Sequence, residues 1–184
     1  MGKRDQGQWW RVVMTALLVC ALGGCVAGPV GNPHPPEPVR SVELPAYLGR
    51  WYEFARYDSS FERGCEGVTA DYAMRPDGDI SVLNTCRRGG PDGRKSVAKG
   101  RAKRTGDSLG AKLKVSFFGP FYADYWVLDR AEDYSWSIVG EPSGRYLWIL
   151  TRTAVPSPEV EAHLRGRVGA LGYDLSLIHF TRQK

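Results

Sequence analysis

Apolar and polar residues alternate in short runs along most of the chain beyond residue 48, and this pattern predicts β-strands. In the clearest run, Leu113, Val115 and Phe117 alternate with polar neighbours. Turn sequences such as Pro-Asp-Gly-Asp at residues 76–79 separate the runs. This pattern predicts an all-β sandwich or barrel. About eight antiparallel strands can close into an up-and-down β-barrel, whose interior can hold one small ligand, and we take this eight-stranded barrel as the predicted fold. The predicted strands cover residues 49–57, 68–74, 80–85, 96–104, 112–117, 125–128, 135–139 and 146–151.

After the last long strand, the spacing of the apolar residues changes to one that predicts an α-helix. Ser157 and Pro158 are typical of a helix start, as N-cap and first helical residue. Apolar residues then recur at intervals near 3.6, and Gly172 ends the helix. We expect the resulting apolar stripe to pack against the outside of the barrel, and residues 177–180 to form a final short strand. The stripe consists of Val160, Leu164, Val168 and Leu171.

The N-terminal region has the pattern of an export signal. Basic residues precede an apolar run at 12–22, which is too short to span a bilayer because about 20 residues are needed. The run ends in Leu-Gly-Gly-Cys25, which is similar to the bacterial lipobox, whose cysteine is diacylated. We predict a lipoprotein signal peptide at 1–24, the lipidated Cys25 with a Pro-rich extended tether at 25–44, and one domain at 45–184. An ordinary signal peptide with an incidental cysteine is the alternative.

Cys65 and Cys86 remain after the signal and the lipidated cysteine are set aside. In an exported protein an isolated pair favours a disulfide. The hairpin predicted at residues 68–85 places the two cysteines within a few residues of each other on adjacent strands. We predict a bridge that ties the open end of this hairpin, with a free thiol or an unpaired buried cysteine as the alternatives.

The net charge of +5 is mild, and the basic residues of the predicted domain cluster at 87–88, 94–95 and 99–104. The simplest interpretation is a solvated strand face, and attraction to anionic lipid headgroups is the functional one. Nucleic acid is not expected as a partner, because aromatic residues do not interleave with these charges. The six Trp and nine Tyr residues suit a wide pocket lined by large rings.

Two short motifs at opposite ends of the barrel sequence carry a family resemblance. Gly49 and Trp51 begin the first strand, and Arg152 follows the last long one. We expect the guanidinium to lie over the indole face at the closed end of the barrel. These motifs resemble the first and third signatures of the lipocalins. The second signature, normally Thr-Asp-Tyr, is present only as Leu128-Asp129, with Tyr134 beyond a longer turn.

The resemblance is closer to bacterial outer-membrane lipoprotein lipocalins, and it covers roughly residues 44–181. It rests on four segments in the order of that subgroup, at residues 51–56, 61–64, 114–122 and 146–153. The resemblance implies binding of fatty acids or lysophospholipids, for storage, transport or repair of membrane lipid. It also implies a lipid anchor in the outer membrane, facing the periplasm, and it allows a homodimer.

Alternation along the predicted strands supplies candidates for the lining of the barrel. Polar groups at the mouth, including Arg63, Tyr57 or Glu66, could hold a phosphate or carboxylate head. The predicted lining residues are Glu53, Ala55, Tyr57, Ala70, Tyr72, Val82, Asn84, Val115, Phe117, Trp126 and Trp148.

No catalytic, metal-binding or phosphate-binding motif is present in the sequence, so we predict no cofactor, no metal and no catalytic residue. Two other classes of function stay open. A lipocalin-fold enzyme acting on a hydrophobic substrate would need Cys65 or Cys86 as an unpaired thiol. A structural envelope module would have a barrel filled by its own side chains.

Overall fold

The computed structural model describes residues 29–184, so the predicted signal peptide and Cys25 lie outside the described residues. The strands and the C-terminal helix follow one another in the predicted order, and a short helix before the first strand was not predicted. The strands are β1 Gly49–Tyr57, β2 Cys65–Met74, β3 Ile80–Arg88, β4 Arg94–Arg104, β5 Lys112–Phe118, β6 Phe121–Arg130, β7 Trp136–Gly140, β8 Leu147–Thr151 and β9 Ile178–Phe180. The helices are α1 Leu44–Tyr47 and α2 Pro158–Ala170.

The first eight strands form a closed antiparallel barrel in which each strand pairs with its neighbours in sequence. Strand β1 closes the barrel, because its first half pairs with β2 and residues 52–56 pair with β8. Its last residues pair on the other side with β9, a short strand outside the eight-stranded circuit. The predicted eight-stranded up-and-down barrel is confirmed.

The two ends of the barrel differ in what covers them. At the closed end lie α1 and the turns β2–β3, β4–β5 and β6–β7. At the open end lie the β1–β2 loop and the turns β3–β4, β5–β6 and β7–β8. The disulfide between Cys65 and Cys86, with Cα atoms 5.3 Å apart, joins β2 to β3 near the open end. The predicted bridge is confirmed.

Helix α2 packs on the outer wall of the barrel, as predicted. Leu164 and Val168 are fully buried there, in one apolar cluster with Ile138 and Ile149. The side chain of Ser157 accepts a hydrogen bond from a backbone N–H of the first turn. Neither helix in residues 29–184 is long and apolar enough to cross a membrane.

A bulge in β1 reverses the faces of its last residues and makes part of the predicted lining wrong. Glu53 pairs with Leu150 and faces inward, but the register with β8 shifts by one residue before Ala55. A one-residue shift moves every following side chain to the opposite face. Ala55 and Tyr57 therefore lie in the outer cluster beneath α2, and Arg56 takes the inward position.

The Pro-rich segment at 29–43, predicted as part of an extended tether, contains no helix or strand and lies against the barrel. The backbone N–H of Gly31 donates to the carbonyl of Gly144 (3.0 Å) in the β7–β8 turn, at the open end. The backbone N–H of Val42 donates to the carbonyl of Leu109 (2.7 Å), at the closed end. The segment thus runs the length of the barrel as an additional layer on its wall.

Candidate ligand-binding site

The closed end of the barrel is sealed by Trp51 and Arg152. The indole is fully buried, and the guanidinium carbon of Arg152 lies 3.7 Å from the ring centroid. The guanidinium also donates to the backbone carbonyls of Arg50 (2.7 Å), Ala46 (2.9 Å) and Leu48 (2.9 Å). The contact predicted from the two signatures is present. Tyr134 joins it across the longer β6–β7 turn, because its carbonyl accepts from Arg152 Nε.

Above this floor lies a cavity of about 610 Å³ that opens at the other end of the barrel. Its wall is mostly aliphatic and aromatic. Small side chains such as Ala98 and Ala102 on β4 leave room that larger residues would fill. Eight of the predicted residues line this cavity, although their contact with a ligand stays a prediction. They are Glu53, Ala70, Tyr72, Val82, Asn84, Val115, Phe117 and Trp148.

Five predicted positions lie elsewhere: Ala55 and Tyr57, for the reason given above, and also Trp126, Arg63 and Glu66. Trp126 faces outward, and the ammonium nitrogen of Lys112 lies 4.0 Å from the centroid of the Trp126 ring. Its neighbour Tyr125 points inward instead. An uninterrupted apolar run such as Tyr-Trp-Val does not reveal which residue faces inward.

The mouth residues also differ from those expected. Arg63 is exposed in the β1–β2 loop. Glu66 is buried away from the cavity, where it accepts a hydrogen bond from the backbone N–H of Arg182 (2.6 Å). Glu62 lines the cavity in their place, and its residue type alone gave no signal, since acidic loop residues are usually solvated.

A buried ion pair borders the cavity wall and was missed by the sequence interpretation. Arg56 Nη1 donates to Glu53 Oε1 at 2.7 Å, and the two side chains are only 1% and 3% exposed. The same nitrogen donates to Thr181 Oγ1 (3.0 Å), which lies just after β9 and also bonds the Glu53 carboxylate. The inward turn of Arg56 follows from the β1 bulge, which no residue pattern announced.

The carboxyl group of Glu62 lies at the upper wall of the cavity, within reach of the indole N–H of Trp148 (3.0 Å). Burial raises the pKa of Glu62 to about 8, and the nearby Glu53 carboxylate adds to the shift. At neutral pH the group is therefore mainly a neutral acid. A neutral carboxyl group can donate a hydrogen bond as well as accept one.

Replacing Glu62 by Gln is expected to remove a pH dependence of stability. The folded-state pKa of Glu62 lies above the ordinary 4.5, so its contribution to stability is lost as pH rises from about 4.5 to about 8. Above pH 8, the free energy of unfolding of Glu62→Gln should exceed that of the parent by about 1–2 kcal/mol. This is less than the full pKa shift would give, because the residue is only partly buried. Urea unfolding across pH measures this. The exposed Glu132→Gln serves as the control, and a parallel pH profile for Glu62→Gln and the parent would contradict the prediction.

Three tyrosines supply uncharged polar groups near the floor. The Tyr125 hydroxyl is shared with those of Tyr47 (2.9 Å) and Tyr72 (3.1 Å). Burial raises the pKa of Tyr47 to about 12, and the pKa values of Tyr72 and Tyr125 are raised as well. The buried Asn84 Oδ1, farther up the wall, has no hydrogen-bond partner. Apart from Glu53, which is paired with Arg56, the site thus offers a mostly apolar volume with a few uncharged polar groups.

Within residues 29–184, no group of three or more His, Cys, Asp or Glu side chains is arranged to hold a metal ion. The sealed floor, the apolar cavity and the single open end define a β-barrel of the class that binds one hydrophobic ligand. The profile of the lipocalin-like domain matches residues 42–183. The chain belongs to the lipocalin family.

Relatives of this chain come from bacteria, plants and animals. It is 42% identical to "Outer membrane lipoprotein Blc" of Vibrio cholerae, over 95% of this chain and 99% of the relative. It is 39% identical to the protein of the same name in Escherichia coli, over 91% and 96%. Mouse apolipoprotein D is 34% identical, over 88% and 84%. Among solved structures, insecticyanin from the tobacco hornworm superposes with a TM-score of 0.64 at 19% identity, over 85% of this chain and 86% of that one.

Proposed function

We propose that the protein binds a fatty acid or a lysophospholipid in its barrel, for storage or transport of lipid in maintenance of the envelope. The cavity of about 610 Å³ carries this proposal, because it falls within the range of about 300–1,000 Å³ typical of small-molecule sites. Each CH₂ group that leaves water for such a cavity contributes about 0.8 kcal/mol. A single acyl chain therefore matches both the shape and the chemistry of the wall.

The polar groups of the wall suggest how the head of such a lipid is oriented. Glu62 lies toward the mouth, and its raised pKa of about 8 leaves it able to donate a hydrogen bond to a carboxylate or phosphate oxygen at neutral pH. The cavity wall near the floor offers the shared hydroxyl groups of Tyr47, Tyr72 and Tyr125. We infer that the acyl chain enters first and that the head stays near Glu62, at the open end.

The relatives named outer membrane lipoproteins support a place at the outer membrane. We propose that Cys25 carries the lipid anchor and that the barrel faces the periplasm. Each buried CH₂ of an acyl chain adds about 0.8 kcal/mol, so that several chains on one cysteine hold a protein firmly. Mass spectrometry of the intact N-terminal peptide tests the anchor, and a mature chain that retains residues 1–24 would contradict it.

Two other classes of function are less well supported by the geometry. The enzyme hypothesis relied on an unpaired Cys65 or Cys86, and these residues form a disulfide. A structural module with a filled barrel is at odds with the open cavity. The arrangement favours binding.

Replacing Ala98 by Trp is expected to fill the cavity and to lower lipid binding about tenfold or more, by analogy with the cost of overpacking. Native mass spectrometry of protein purified from its own membrane shows which lipid co-purifies, and titration with that lipid gives the affinity. Lys99→Trp is the matched control, because Lys99 is the next residue of β4 and does not line the cavity. Equal affinities for the two folded variants, or the absence of any bound lipid in the parent, would contradict the proposed function.

A further inference from the structure

The turn between β5 and β6 presents two large aromatic side chains to solvent at the open end. Phe118 is 82% exposed and Phe121 is 79% exposed, and both also line the mouth of the cavity. On the opposite side of the mouth, Phe61 of the β1–β2 loop is 56% exposed. Exposed apolar groups clustered in this way mark an interaction site rather than ordinary surface.

The N-terminal segment reaches the barrel at this same end. Gly31 is bonded to Gly144 in the β7–β8 turn, and that turn is linked to the β1–β2 loop by the contact of Tyr146 with Phe61, at 5.8 Å between ring centroids. Six peptide steps separate Cys25 from Gly31, a span of at most about 20 Å. Strand β6 has 10 residues and is about 33 Å long, which corresponds to a barrel height of about 25 Å at the usual strand tilt. A lipid on Cys25 therefore reaches the membrane from the side of the open end.

The charge on the β3–β4 side of the open end suits a bilayer that contains anionic lipid. The β3–β4 region exposes Arg88, Arg94 and Lys95. Its acidic residue, Asp92, is paired with Lys184. Basic side chains close to an anionic membrane surface contribute about 1 kcal/mol each. Peripheral proteins enter the membrane interface through exposed apolar side chains that lie beside basic ones.

We propose that the open end of the barrel docks on the phospholipid bilayer, with Phe118 and Phe121 inserted among the headgroups. The cavity mouth then faces the lipid surface, and an acyl chain can pass between bilayer and barrel without crossing open water. This proposal deepens the proposed function and rests on it, because it supplies the route by which the bound lipid enters. The occupant is the bilayer itself, rather than a second copy of the chain.

The test uses the full lipoprotein reconstituted into vesicles of phosphatidylethanolamine and phosphatidylglycerol. A polarity-sensitive fluorophore is attached to Phe118→Cys at the open end and, as the matched control, to Glu132→Cys in the exposed β6–β7 turn at the closed end. Interfacial side chains lie about 5–10 Å deep at the boundary of headgroups and acyl chains. The label at position 118 should therefore show a blue-shifted emission and strong quenching by brominated acyl chains. The label at position 132 should show neither.

Each other outcome overturns the docking proposal in a recognisable way. A blue shift at position 118 that grows with protein concentration in the absence of vesicles would assign the surface to a second copy. Equal quenching at both positions would mean that the barrel lies on its side. Adding Phe121→Ser should weaken the quenching at position 118, and no change would exclude joint insertion. Bound lipid is assayed in the same preparations, so that a water-exposed position 118 with lipid still bound contradicts docking alone.

Discussion

Replacing Arg56 by Met is expected to lower the free energy of unfolding by about 3–5 kcal/mol, because it leaves the Glu53 carboxylate buried without its partner. The two side chains are 1% and 3% exposed, and the guanidinium also bonds the carbonyl of Glu62 and the hydroxyl of Thr181. Methionine fills a similar volume, so that lost packing adds little. Urea unfolding at neutral pH, with secondary structure checked by circular dichroism, measures the change.

The double variant Arg56→Met/Glu53→Leu separates the lost charge pairing from lost packing. Removing both charges should recover most of the stability, because a buried pair replaced by apolar groups of similar volume is often neutral or stabilising. The control is Arg50→Met, since the pair with Asp71 is exposed, at 57% and 27%, and should cost no more than about 1 kcal/mol. A double variant as unstable as Arg56→Met alone would show that the charges do not account for the loss.

The architecture was predictable from the sequence because the barrel strands alternate over several residues. In β5, Leu113, Val115 and Phe117 all line the cavity, and the pairing with β6 is regular up to Val115. The helix start at Ser157 and the bridge from Cys65 to Cys86 were predictable for a similar reason. Each depends on chemistry that is local to a turn, a cap or a hairpin.

The inward faces of β1 and β6 were less predictable, because one residue decides them. The bulge after Glu53 exchanges the faces of Ala55 and Arg56. Neither residue type indicates the bulge. An arginine is expected to face solvent, since a buried arginine is rare unless it is paired. Its partner Glu53 and the third member of the network, Thr181, are separated by 128 residues in sequence. Contacts over such distances follow from the closed barrel, which no local pattern encodes.

The N-terminal segment was also only partly predictable from the sequence. Its prolines favour an extended chain, and the backbone is free of regular elements from Pro29 to Glu43. An extended chain can still satisfy its N–H groups against a wall, as Val39 does with the carbonyl of Leu128 (3.3 Å). Composition predicted the conformation of this segment but not its position. That position brings the start of the described chain, at Gly31, to the open end of the barrel.

Replacing Trp51 by Ala is expected to cost about 3–5 kcal/mol, as is usual for a large aromatic side chain in a core. The indole is fully buried, its N–H donates to the carbonyl of Tyr47 (2.8 Å), and its face carries the guanidinium of Arg152. Removal therefore leaves a void in the floor and an arginine without the ring that it covers. Thermal and urea unfolding measure the loss.

The matched control is Trp126→Ala, because this indole also lies beneath a cation, Lys112, but is half-buried on the outer face. Its loss should cost about 1–2 kcal/mol, in proportion to the smaller area that it buries. Arg152→Lys should fall between the two, since an ammonium group cannot reach three backbone carbonyls and cover the ring at once. Equal costs for Trp51→Ala and Trp126→Ala would mean that the floor is no more important to the barrel than its outer surface.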